Sequence, residues 1–66
     1  MKVTLNNTEI TVFKGATLND LVLLYSKRSY KMLLNNKLCI YDRFGNRTEP
    51  DGPVYDGQVF FLKRAE

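Results

Sequence analysis

The chain has 66 residues, too few for a second domain or for a catalytic cleft enclosed between domains. Ten Lys and Arg against seven Asp and Glu give a net charge of +3, which allows an acidic partner but is below the basic excess typical of nucleic-acid-binding domains. One cysteine and no histidine exclude a zinc finger, a cysteine-bound iron–sulfur cluster and a Ser-His-Asp or Cys-His catalytic set. We therefore predict a single domain over residues 1–66 that is not an enzyme and binds no metal or cofactor.

The N-terminal segment predicts a β-hairpin. Val3 and Leu5 alternate with polar neighbours, and a similar alternation returns over residues 9–12. Asn6 and Asn7 lie between the two strands, and asparagine tolerates the positive φ angles of a tight turn. The N-terminus carries no long apolar stretch, so we expect neither a signal peptide nor a membrane span and place the protein in the cytoplasm.

A helix is predicted to begin at about residue 18. Gly15 ends the second strand, and Thr17 followed by Asp20 has the pattern of a capping box. The helix is expected to run for about ten residues, so that Lys27 and Arg28 lie near its negative C-terminal end. Four apolar residues recur at helical spacing and form one stripe that can pack on a sheet: Leu18, Leu21, Val22 and Tyr25.

The second half of the chain predicts strands and one long connection. Residues 32–34 and 38–41 are short apolar runs on either side of an Asn-Asn pair, which we interpret as a second hairpin or a bent pair of strands. Residues 42–57 are rich in Gly, Pro and Asp, so they are expected to wrap the core as a loop anchored by Val54 or Tyr55. Residues 58–63 predict a final strand, with Val59 and Phe61 in the core and Phe60 on the opposite face.

The order of these elements predicts an α+β fold of the β-grasp type. A helix that lies between two sets of strands in the chain needs one face of a sheet to bury its apolar stripe. We expect the first and last strands to lie side by side and parallel at the centre. The predicted architecture is a mixed sheet of four to five strands packed on one helix.

The same residues resemble a known family. The hairpin, the helix start over residues 17–22, the segment 33–35 and the Asp-Gly-Gln-Val segment at 56–59 are similar to the ubiquitin-like sulfur carriers of the ThiS and MoaD type. The resemblance implies a protein partner, and the partners of this family include the activating and sulfur-transfer enzymes of thiamine or molybdopterin biosynthesis. Carriers of this family end in Gly-Gly, whose carboxylate is adenylated, whereas this sequence reads Ala65-Glu66.

That departure decides the expected function. We expect a non-catalytic protein-binding module related to the sulfur carriers, with nucleic acid an unlikely partner because the net charge is small. Two alternatives stay open: a functional sulfur carrier with an atypical C-terminus, and a regulatory module that resembles TGS domains and binds RNA or a nucleotide.

Two candidate surfaces follow from the predicted strands and helix. The face of the sheet opposite the core is expected to bind the partner, or a second copy of the chain, through three apolar residues: Phe13, Phe60 and Leu62. The long loop is the alternative cover for this face. The second candidate is a basic patch at the helix end, which suits phosphate or RNA and is also typical of a solvated helix end: Lys27, Arg28 and Lys31.

Overall fold

Seven elements follow one another in the computed structural model, which describes residues 1–65. They are β1 (Lys2–Leu5), β2 (Thr8–Thr11), α1 (Leu18–Tyr25), α2 (Lys27–Leu34), β3 (Leu38–Asp42), β4 (Arg47–Thr48) and β5 (Val59–Arg64). In this part of the chain the strands form one mixed sheet in the order β2-β1-β5-β3-β4. The architecture is therefore α+β, as predicted, but it has two helices where the sequence predicted one.

The N-terminal hairpin forms as predicted. β1 and β2 pair antiparallel, with Val3 opposite Ile10, and the turn residues Asn6 and Asn7 have φ angles of +49° and +65°. The side chain of Asn6 has a second role, because its Oδ1 accepts a hydrogen bond of 2.9 Å from the backbone N–H of Leu62. The turn is therefore fastened to the last strand as well as closing the first hairpin.

The first and last strands lie side by side at the centre of the sheet, which confirms the prediction. β1 and β5 are parallel, with Thr4 beside Val59 and Leu5 beside Phe60. On its other side β5 pairs antiparallel with β3, and the two-residue strand β4 pairs with β3 at the edge. β5 therefore joins the two halves of the sheet.

The faces of β5 are the reverse of those predicted. Phe60 is only 3% exposed and belongs to the core, and Leu62 packs against that core. Register explains the difference: Phe60 lies beside Leu5, which is fully buried, so both side chains point to the same face. Val59 and Phe61 therefore point to the opposite face.

The helix start is confirmed. The backbone N–H of Thr17 donates to Oδ2 of Asp20 at 2.9 Å, and the backbone N–H of Asp20 donates back to Oγ1 of Thr17 at 3.4 Å. Leu21 and Val22 are fully buried against the sheet. The sequence thus specified the first turn and the packing face of α1 through local interactions.

The predicted strand over residues 32–34 is wrong, because these residues end a second helix. α1 stops at Tyr25, and Ser26 then caps α2 by accepting a hydrogen bond of 3.2 Å at its Oγ from the backbone N–H of Ser29. Within the apolar run Leu33 is buried whereas Leu34 is 59% exposed, as expected for a helix packed on one side.

This break also changes the surroundings of two basic residues. Lys27 and Arg28 begin α2 rather than ending α1. They therefore lie at the positive end of a helix dipole, so the stabilisation predicted for them at a helix C-terminus is absent.

The segment 42–57 packs on the core as predicted and also caps α1, but it is not a loop throughout, because residues 47–48 form β4. Val54 is 2% exposed and is the anchor, whereas Tyr55 is 61% exposed. The carbonyl of Gly52 accepts from the backbone N–H of Leu18 at 3.0 Å, and another carbonyl of the segment accepts from the next N–H of the helix. These bonds satisfy donors that a helix start leaves without partners.

Candidate functional site

The candidate site is the face of the sheet that points away from the helices. Both helices pack on the face that carries the core, so the other face is left without a second layer in residues 1–65. Four large apolar side chains lie on it or in the turn beside it, and we call them the outer strip: Tyr41, Phe44, Val59 and Phe61.

The strands position three members of the outer strip. Tyr41 on β3 lies directly opposite Phe61 on β5, and Val59 is two residues before Phe61 on the same face. Directly opposed residues in antiparallel strands have Cβ atoms about 4.5–5.5 Å apart, so the two rings lie within contact range. All three side chains are only partly buried, which leaves apolar surface for a partner.

A charged turn presents the fourth member. Oδ1 of Asp42 accepts hydrogen bonds of 2.9 Å from the backbone N–H groups of Asn46 and Phe44, and these bonds hold the pKa of the carboxyl below its ordinary value of 3.8. Gly45, with φ of +83°, allows the chain to reverse. Phe44 is 80% exposed at the tip, and the guanidinium of Arg43 lies 5.7 Å from the centre of its ring.

A shallow hollow of about 290 Å³ connects Phe44 with Val59. Its two carboxylates already accept backbone hydrogen bonds: Asp42 holds the turn, and Oδ1 of Asp56 accepts from the backbone N–H of Lys2 at 2.8 Å. These acids therefore hold the ends of strands in place. The surface that the hollow offers to a partner is that of its apolar residues, Phe44 and Val59.

The structure does not bring the three predicted partner-binding residues together. Phe13 is 58% exposed just beyond the end of β2, Phe60 is buried, and Leu62 packs against the core from the helix side. The expectation that Phe60 and Leu62 face outward is therefore wrong. Sequence reasoning missed Tyr41 and Phe61, and the signal that would have found them is the alternation of β5 read in the opposite phase.

The predicted basic patch does come together. Lys27, Arg28 and Lys31 are all exposed, and their spacing of three and four residues puts them on one side of α2. Ser29 and Tyr30, between them, are partly buried and complete the inner side of the same turn. The patch is a solvated helix face that lies away from the outer strip.

Comparison with known proteins gives no match: no family model fits the chain, and no curated protein or solved structure is significantly similar to it. Residues 1–65 hold no cluster of three or more side chains suited to a metal ion. Neither helix within that range has the length and apolar character needed to cross a membrane. Glu66, where the sequence differs from the Gly-Gly ending of the sulfur carriers, lies outside the described residues.

Proposed function

We propose that the chain is a ubiquitin-like β-grasp domain related to the ThiS and MoaD sulfur carriers, and that it acts as a non-catalytic protein-binding module. The central parallel pair of β1 and β5, with the helices on one face of the sheet, supports the β-grasp assignment. The observation that carries the function is the outer strip.

The composition of the outer strip supports a protein partner. Tyr and Phe are enriched in protein interfaces, where large rigid side chains bury much surface at little conformational cost. Phe44 is the clearest case, since it is 80% exposed and the hydrogen bonds to Asp42 hold its backbone in place. Because its backbone is already held in place, the turn loses little backbone entropy when a partner covers Phe44.

The neighbouring charges support binding rather than catalysis. Asp42 and Asp56 line the hollow beside the strip, and each carboxylate is engaged by backbone N–H groups. For Asp42 these hydrogen bonds stabilise the charged form and lower the pKa, which makes this carboxylate a poor general base. We therefore assign these acids to the presentation of the strip.

The proposal is tested by comparing three forms of the protein immobilised in the same amount: wild type, Phe61→Ser and Phe13→Ser. Phe13→Ser is the control, because it makes the same substitution at an aromatic residue outside the outer strip; Phe13 is 58% exposed, whereas Phe61 is partly buried. Proteins captured from source-cell extract are quantified by mass spectrometry, and self-association of each form is measured by sedimentation.

We expect at least one partner, or the self-associated form, to be retained by wild type and by Phe13→Ser and lost with Phe61→Ser. Thermal melts of the two variants check that both remain folded. If every captured protein binds the Phe61→Ser form as well as wild type, the outer strip is not the binding surface and the proposal fails.

A further inference from the structure

A second surface lies at the other end of the same sheet face and has a different chemistry. There the ends of β3, β4 and β5 border an open hollow of about 560 Å³. We call it the basic hollow, and seven residues line it: Asn36, Cys39, Tyr41, Arg47, Lys63, Arg64 and Ala65.

Three of these lining residues are cations, and no carboxylate of residues 1–65 lines the hollow with them. The ion pair found in that range joins Lys2 on β1 to Glu9 on β2 at a distance of 3.6 Å, near the opposite edge of the sheet. Among residues 1–65, the acids nearest in sequence to the lining residues are Asp42 and Glu49, and neither lines the hollow. The positive charge of the hollow is therefore uncompensated within the described chain.

The strand register explains how the hollow arises. Arg47 lies opposite Tyr41 across β4 and β3, and Lys63 lies opposite Cys39 across β3 and β5. Cys39 is small and largely buried, so it forms the bottom of the hollow, and the longer side chains of Arg47 and Lys63 form its sides. The ammonium of Lys63 is 5.3 Å from the centre of the Tyr41 ring, a contact that restrains its position.

We propose that the basic hollow binds the linked phosphates of a small molecule, such as pyrophosphate or the phosphate chain of a nucleotide. Guanidinium groups pair with phosphate oxygens through two parallel hydrogen bonds, and an ammonium adds a point charge. Arg47 supplies the first kind of contact and Lys63 the second, while the amide of Asn36 offers further donors. Arg64 follows Lys63 on β5 and starts from the opposite face, so it adds positive charge at the rim. Linked phosphates fit better than one, because Arg47 on β4 and Lys63 on β5 lie on either side of β3.

The test is a titration of the ¹⁵N-labelled 66-residue chain at constant ionic strength. The probes are inorganic phosphate, sodium pyrophosphate and ATP, followed by amide shifts in NMR spectra. We expect saturable shifts at the residues of the basic hollow, with pyrophosphate and ATP binding at least about tenfold more tightly than phosphate, because additional charge-assisted hydrogen bonds form. Absence of saturable shifts at these residues would overturn the proposal.

Matched variants separate this site from non-specific attraction. Arg47→Gln and Lys63→Gln are each expected to weaken pyrophosphate binding by about fivefold or more, whereas Arg28→Gln, which makes the same charge change on exposed α2, should stay within about twofold. Equal losses in all three variants would overturn the proposal, since they would mean that net charge alone attracts the anion.

The competing occupants are tested with a short oligothymidylate and an oligoglutamate peptide. The proposal fails if either binds the hollow more tightly than pyrophosphate, because the natural ligand would then be a single-stranded nucleic acid or an acidic protein segment. Tyr41 belongs to both surfaces, but these variants leave all four side chains of the outer strip in place, so a loss of pyrophosphate binding does not test the outer strip.

Discussion

Phe60 and Phe61 are adjacent, chemically identical and on opposite faces of β5, so replacing each by Ala gives a direct test of the sheet's orientation. Phe60 is 3% exposed within the core, and truncation of a buried Phe costs about 3–5 kcal/mol. Phe61 is partly exposed and loses mainly its cross-strand contact with Tyr41, a loss of about 1 kcal/mol or less.

The size of the domain makes this difference easy to measure. At about 0.05–0.15 kcal/mol per residue, a chain of 66 residues has a stability of roughly 3–10 kcal/mol. Phe60→Ala therefore removes a third or more of the total. With a urea m-value of about 1 kcal/mol/M, the midpoint is expected to fall by about 3–5 M for Phe60→Ala and by about 1 M or less for Phe61→Ala.

The assay is urea unfolding followed by circular dichroism, with wild type and both variants under the same conditions. If Phe60→Ala is unfolded before urea is added, the pair Phe60→Leu and Phe61→Leu gives the same comparison at smaller amplitude. A larger loss for the Phe61 variant than for the Phe60 variant would show that β5 has its faces as first predicted from the sequence, and would refute the register described above.

Two further predictions concern single turns. Asn6→Gly keeps the freedom to adopt positive φ but removes the acceptor for the Leu62 N–H, so it should lower the free energy of unfolding by about 1 kcal/mol. Asn7→Gly, in the same turn, should be nearly neutral or stabilising. Equal effects of the two substitutions in thermal melts would show that the bond to Leu62 contributes nothing. The pKa of Asp42 is lower in the folded chain than in the unfolded chain, so its contribution to stability is present above pH 3.8 and is lost as the pH falls through the lowered value. Asp42→Asn keeps an acceptor oxygen but cannot titrate, so the decrease of the unfolding midpoint with acid should be shallower than in wild type, and an unchanged acid dependence would contradict this assignment.

The sequence predicts correctly where the deciding interactions are local. The Asn6-Asn7 turn and the pairing of Thr17 with Asp20 each depend on residues within a few positions of one another. The second helix was missed because a short apolar run fits a strand or a buried helix equally well. The capping serine that decides between them lies several residues upstream, at position 26.

The candidate site was misplaced for a different reason. Both alternating sets of β5 are apolar, so periodicity alone cannot say which set is buried. The choice depends on which residue of β1 lies beside Phe60, a contact between residues more than fifty positions apart. The outer strip therefore becomes recognisable only when the register of the parallel pair is known.

The central position of β5 also determines when the chain can fold during its synthesis. Of the described strands, β1 is synthesised first and its neighbour β5 is synthesised last. β5 also carries the N–H of Leu62, which Asn6 binds across 56 residues. At about 5–20 residues per second, β1 waits roughly 3–11 s for that neighbour. Until then the apolar side chains of the hairpin and of α1 have no complete sheet to cover them. Nascent chains stalled before residue 59 are therefore expected to bind chaperones that recognise exposed apolar segments, and to release them once β5 has emerged.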